Sequence, residues 1–221
     1  MSSGDSIYDD EPPEGSLERL RELIHEHGEL RTRISRSRKY IFKYEVPYLA
    51  GSSLSGEHVY FDPTLIAGTR DEPWCRTLVA LHEIVEWSLK PWHREYEFRH
   101  HLATAAEDDY CRTLGHTPAE YRALLRPLYK PIEHEKILSC PPDLDLSPYS
   151  GKLKGYLYDL QHGKLPKAKV SYGLGVASRK CALCTMFRAP HDCSLVAGDV
   201  NASDVCDRFV RRKYDRYCET C

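Results

Sequence analysis

The chain of 221 residues is 41% hydrophobic and 29% charged, with 31 Lys and Arg against 33 Asp and Glu. That composition excludes a wholly disordered or collagen-like polymer and provides for one or two domains with a real core. A net charge of −2 gives no electrostatic reason for a nucleic-acid partner, and the longest apolar run, Leu78 to Leu81, is far too short to span a bilayer.

In chain order, residues 1–15 (MSSGDSIYDDEPPEG) are acidic and rich in Ser, Pro and Gly, and read as a disordered tail without a secretory signal. The expected location is therefore the reducing cytoplasm. Ser16 to Glu26 places Leu17, Leu20, Leu23 and Ile24 at helical spacing, and Gly28 closes that helix. Arg31 to Lys39 reads as a solvated basic edge. Tyr40 to Tyr48 and His58 to Phe61 read as strands around a Gly-Ser turn from Gly51 to Gly56. Two helices follow, from Pro73 to about Lys90 and from Arg94 to about Leu114. Thr117-Pro118 caps a third that runs to about Leu128. Cys140-Pro-Pro-Asp-Leu-Asp-Leu-Ser-Pro then ends the periodicity. The expected fold class is α+β. A mainly helical domain with a small β-hairpin or sheet spans 16–150, a linker 151–168, and a small loop-rich four-cysteine metal module with a basic tail 169–221.

The first of the two central helices carries His82-Glu83-Ile84-Val85-Glu86. His82 and Glu86, four residues apart, share a face that is otherwise Cys75, Leu78, Val79, Val85 and Leu89. A carboxylate on such a face costs about 2–7 kcal/mol unless a cation or donors meet it. On the second helix, seven residues at about 100° each bring His100 and Glu107 within roughly 20° of one another, whereas His101 falls on a separate face. His82, Glu86, His100 and Glu107 are therefore candidate N/O ligands for a divalent ion such as zinc, manganese or iron. Glu83 occupies the general-base position of a His-Glu-x-x-His zinc peptidase, although Glu86 replaces the second histidine. The alternative is a polar helix interface in which these groups pair with Arg94, Arg99 or each other.

Around these helices run Val46-Pro-Tyr48-Leu-Ala-Gly51-x-Ser53, Val59-Tyr60-Phe61-Asp62, Leu81-His82-Glu83-x-x-Glu86, His100-x-x-Ala103-Thr104-x-x-Glu107 and Pro142-Asp143-Leu144-Asp145-Leu146-x-Pro148-Tyr149. Over residues 40–150 this pattern resembles a group of phage and prophage proteins of unassigned role. The resemblance names no reaction. It implies phage structural proteins as partners and a virion-associated location as an alternative to the cytoplasm.

Nine cysteines in a chain read as cytoplasmic point to metal ligands or buried thiols, and an odd count forbids complete pairing. Cys181, Cys184, Cys193 and Cys206 follow a C-x2-C-x8-C-x12-C spacing. Four thiolates from one short segment make the ligand set of a tetrahedral zinc or a cubane iron–sulfur cluster. Gly198 suits a tight loop, with Phe187, Leu195, Val200 and Phe209 available as a dry shell. A zinc ribbon on Cys181, Cys184, Cys218 and Cys221 is the rival arrangement. Cys75, Cys111 and Cys140 read as core. Gly173-Leu-Gly175 reads as a loop, and the basic stretch from Arg208 to Arg216 as a solvated helix.

Cys181, Cys184, Phe187, Cys193, Leu195, Gly198, Val200 and Cys206 together resemble the high-potential iron–sulfur proteins over some 40 residues. The gap from Cys184 to Cys193 is shorter than that family's, and Val205 stands where it has an aromatic. The resemblance implies a [4Fe-4S] cluster on the four cysteines, Tyr172 shielding it, and a redox partner protein. The expected function is electron transfer or redox sensing, with a second divalent-metal site on the helices. The alternatives are a peptidase-like metallohydrolase with Glu83 as base, and a virion or assembly protein stabilised by zinc or a cluster.

Overall fold

The computed structural model describes residues 11–129 and 137–212. These form two compact units, one from 11–129 with 143–148 and one from 137–142 with 149–212. The fold class is α+β. Residues 1–10 of the expected tail lie outside the described residues, as do Cys218 and Cys221 of the rival ribbon. No helix among the described residues is long and apolar enough to cross a membrane.

The first unit opens with helices α1 (Ser16–Glu26) and α2 (Gly28–Ser35). Gly28 begins a second helix rather than only closing the first. The basic stretch is accordingly half helical: Leu30 is fully buried, and the Arg33 guanidinium lies 4.1 Å over the Trp87 ring while its Nε donates to the Ser88 carbonyl. Strand β1 is Lys39–Ile41, β2 is Ala50–Ser52 and β3 is His58–Phe61. Their order is β1-β3-β2, with β1 parallel and β2 antiparallel to β3. The strand expected over Tyr40–Tyr48 is thus only its first residues, because Pro47 opens a 3-10 turn over Pro47–Leu49. Gly51 belongs to β2, paired with Tyr60, and the chain turns instead at Gly56. Gly56 has φ of +68°, and a Cβ there would fall 2.4 Å from the Trp87 ring.

The motif residues of the Asp143–Asp145 stretch extend this sheet. Leu54 N–H donates to the Asp143 carbonyl at 2.7 Å, Asp145 N–H to the Ser52 carbonyl at 2.8 Å, and Lys90 pairs with the Asp145 carboxylate. Asp62 accepts from Thr64 N–H at 2.7 Å and so caps helix α3 (Pro63–Gly68).

Helices α4 (Trp74–Leu89) and α5 (Tyr96–Thr113) pack together at the centre of the unit. The early turns of α4 place Cys75, Leu78 and Val79 in a core with Phe61, Leu65, Cys111, Tyr121 and Leu125. Its last turns place Val85 and Leu89 in a second core with Leu20, Leu23, Leu30 and Leu102. Full burial of a leucine such as Leu78 or Leu89 stabilises the fold by about 1.5–3 kcal/mol. Between these two apolar stretches, along the same helix, lie His82 and Glu86. Helix α6 (Pro118–Leu125) begins at the expected Thr117 cap, where Thr117 Oγ1 accepts from Glu120 N–H and the Glu120 carboxylate accepts from Thr117 N–H.

In the second unit, the segment 151–168 read as a linker contains helix α7 (Gly151–Gln161). Burial of Tyr156 and Leu157 makes it part of the fold, and the Tyr156 hydroxyl donates to the Ile137 carbonyl at 3.0 Å. Beyond it the strands are two residues long: β4 (Gly173–Leu174), β5 (Phe187–Arg188), β6 (Asp192–Cys193) and β7 (Asp204–Val205). They pair antiparallel as β4-β7 and β5-β6. Gly175, in the expected loop, has no room for a side chain, since a Cβ would meet the Arg179 and Ser203 carbonyls at 2.6 and 2.8 Å.

Candidate metal centres

Each unit gathers one set of metal-ligating side chains. In the first unit, α4 and α5 turn His82, Glu86, His100 and Glu107 toward one another, each less than 9% exposed. His82 Nδ1 lies 3.1 Å from Glu107 Oε2, and His82 Nε2 lies 3.0 Å from His100 Nδ1. Glu86 Oε2 is 3.6 Å from both His82 Nε2 and His100 Nδ1. Among the described residues, His82, Glu86 and His100 form the set whose ligating atoms all lie within 4.8 Å of one another. His101 is not part of it. Arg99 donates to the His93 and Arg94 carbonyls, so the carboxylates meet histidines rather than the arginines considered as partners.

Burial alone would lower the His82 pKa, but the Glu107 and Glu86 carboxylates overcome it and hold that ring well above its ordinary value. Burial likewise works to raise Glu86, and hydrogen bonds to His100 and His82 reverse it, leaving Glu86 low. Glu83 behaves differently. Burial and then the neighbouring Glu86 charge push it up to about 8, against His82 and the Ser52 hydroxyl, which lies 3.3 Å from its carboxylate.

Two partners here carry no sequence signal. The Tyr121 hydroxyl on α6 donates to Glu107 Oε1, and Ser52 on β2 reaches Glu83 on α4. Both contacts join elements that periodicity treats separately.

In the second unit, Cys181, Cys184, Cys193 and Cys206 are all buried, and none is in a disulfide. A 3-10 turn over Cys181–Leu183, closed by Cys184 N–H to the Cys181 carbonyl at 2.8 Å, holds the first pair. Cys193 ends β6 opposite Phe187, and Cys206 follows directly on β7. The four line one cavity with Tyr172, Phe187, Leu195, Val196, Val200 and Phe209. Leu195 N–H points at Cys193 Sγ from 3.5 Å, and the Arg208 N–H serves Cys206. Burial first, then the neighbouring thiols, pushes Cys181 up to about 11.

Tyr172 borders this cavity, and its hydroxyl accepts from Asn201 N–H at 2.9 Å. Gly198 takes φ of +78° and donates its N–H to Asp159 of α7, tying the Cys193–Cys206 loop to that helix. Arg212 belongs to the stretch read as a solvated helix. It donates instead to the Cys184 and Phe187 carbonyls at 3.0 and 2.7 Å and clamps the cysteine turn. Lys213 onward lies outside the described residues. Cys75 and Cys111 are core, and burial pushes both Cys75 and the half-buried Cys140 up to about 12.

No family model matches the chain, and no solved structure does. Neither resemblance drawn from the sequence therefore meets a matching family. A curated protein is similar over part of its length. It is an iron oxidase of Acidithiobacillus ferrooxidans, 39% identical over 49 residues. The match covers 22% of this chain and 54% of that protein, so the chain spans about half the length of the relative it matches.

Proposed function

We propose that the second unit holds a [4Fe-4S] cluster on Cys181, Cys184, Cys193 and Cys206, and that the protein serves in one-electron transfer or redox sensing. The observation that carries this reading is the meeting of four buried, unpaired thiols around one cavity whose remaining wall is aromatic and aliphatic. Similarity to a protein named an iron oxidase points the same way.

A [4Fe-4S] cluster, when bound, supplies a one-electron couple whose potential follows solvent access and hydrogen bonds to sulfur.

The chain's own residues address both controls. Phe187, Leu195, Val200 and Phe209 keep water from the thiols, and the Leu195 and Arg208 amides donate toward Cys193 and Cys206. Tyr172 closes one side, its hydroxyl held by Asn201 and Asp204. A redox partner protein is the counterpart this reading requires.

Protein purified without oxygen tests it. About four irons with matching acid-labile sulfide are expected, together with a reversible one-electron couple. Cys184→Ser is expected to lose most of that iron. Colourless wild-type protein holding zinc after attempted cluster reconstitution would overturn the proposal.

A further inference from the structure

The polar cluster between α4 and α5 has an internal order that spacing along the helices does not reveal. His82 uses its two ring nitrogens differently. Nδ1 faces the Glu107 carboxylate at 3.1 Å, and an ionised carboxylate only accepts, so that nitrogen carries the proton. Nε2 is therefore the nitrogen left to bind an ion, and it faces His100 Nδ1 and Glu86 Oε2. Glu107 stands on the far side of the ring from this meeting point.

The three converging atoms, His82 Nε2, His100 Nδ1 and Glu86 Oε2, are separated by 3.0, 3.6 and 3.6 Å. A tetrahedral ion bound at about 2.0–2.1 Å spaces its ligand atoms about 3.3–3.4 Å apart. The observed edges bracket that value. Two imidazole nitrogens and a carboxylate oxygen, brought this close between two apolar cores, need a shared proton or a cation among them. The donor set of two imidazoles and one carboxylate selects a divalent first-row ion, zinc or iron(II) foremost.

Behind the ring, the order continues outward. Glu107 Oε2 takes the His82 Nδ1 proton, and Glu107 Oε1 takes the Tyr121 hydroxyl. A ligating histidine whose other nitrogen donates to a carboxylate, itself hydrogen-bonded, is the arrangement that fixes tautomer and ring direction around bound metals.

We infer that the first unit binds one divalent metal ion through His82 Nε2, His100 Nδ1 and Glu86. Glu107 and Tyr121 are positioning residues that aim His82, not ligands. Three protein ligands leave at least one coordination position for water or substrate, as in metal sites that act on a bound molecule. The inference is independent of the cluster proposed for the second unit.

The test uses the full chain, desalted against chelator and titrated with Zn2+ by calorimetry, with zinc and iron counted by mass spectrometry. One zinc per chain is expected, with zinc-edge X-ray absorption reporting two imidazoles and no sulfur. His100→Ala is expected to weaken binding at least about 100-fold, with helical circular dichroism confirming that the unit still folds. Glu107→Gln is expected to keep the one-to-one stoichiometry while raising Kd about 10–100-fold, the usual cost of losing a group that orients a ligand. A wild-type chain that binds no zinc, or binds it through sulfur, would overturn the site. Loss of zinc from Glu107→Gln as complete as from His100→Ala would overturn the division between ligands and positioning residues.

Discussion

The two units hold their shape by different means. In the first, long helices cross and bury leucines, and the polar groups of the His/Glu cluster sit between two apolar cores that would pack without them. In the second, strands are two residues long, and four of the eight buried residues of the core are the cysteines themselves. A unit of that size rarely supplies enough apolar burial alone, and natural small folds add disulfides or a metal. On the two proposals above, a metal would be an addition to the first fold and a structural member of the second.

Three experiments break or sharpen that contrast. The largest effect is expected from stripping the cluster with an oxidant and chelator under native conditions. Amide exchange between Cys181 and Cys206 should accelerate at least about 100-fold, while α4 and α5 stay protected. Undiminished protection around the cysteines would mean that the second unit packs without its metal.

In the first unit, Leu78→Ala is expected to cost about 2–5 kcal/mol in denaturant unfolding, since Leu78 is completely inaccessible and its loss leaves a cavity. Acid-labile sulfide per chain should not change. A parallel fall in sulfide would show that the units are not separable in this way.

The smallest effect concerns Lys164, which reaches both Asp159 and Asp192 at 2.8 Å. Burial would lower its pKa, but the two carboxylates overcome that and raise it above the ordinary 10.5. A raised folded pKa stabilises fully below the unfolded value and is lost as pH climbs through the folded one. Because solvent screens the pair on its Asp192 side, Lys164→Met should cost only about 0.5–1 kcal/mol at pH 7 in urea unfolding. The gap from wild type should narrow above pH 10.5. A gap that is constant with pH would assign the loss to packing.

Several features were legible beforehand. The 3.6-residue period marked α4 and α5 and ruled His101 out of the stripe shared by His100 and Glu107. Thr117 and Pro118 announced a helix start, and the cysteine spacing pointed to one gathered thiol set. Elsewhere the local signal misled. Tyr40–Tyr48 is rich in strand formers yet pairs only at Lys39–Ile41, because Pro47 has no N–H to give a ladder. Residues 151–168 look like a linker until Tyr156 and Leu157 find a core to enter.

What the sequence determined by itself was therefore whatever depends on neighbours along the chain: helix faces, caps, and which residue types were available to a site. Only the tertiary structure decided which atoms meet. Glu107 lies on the same helical stripe as His100, yet the packing of α4 against α5 turns it to the back of His82, while Tyr121 arrives from α6. Arg212 reads as one more surface charge until the chain returns it to the Cys184 carbonyl. Periodicity fixes the direction of a side chain about its own axis to within a rotamer. The distance and angle at which two such side chains face each other belong to the packing of separate elements, which no local pattern encodes.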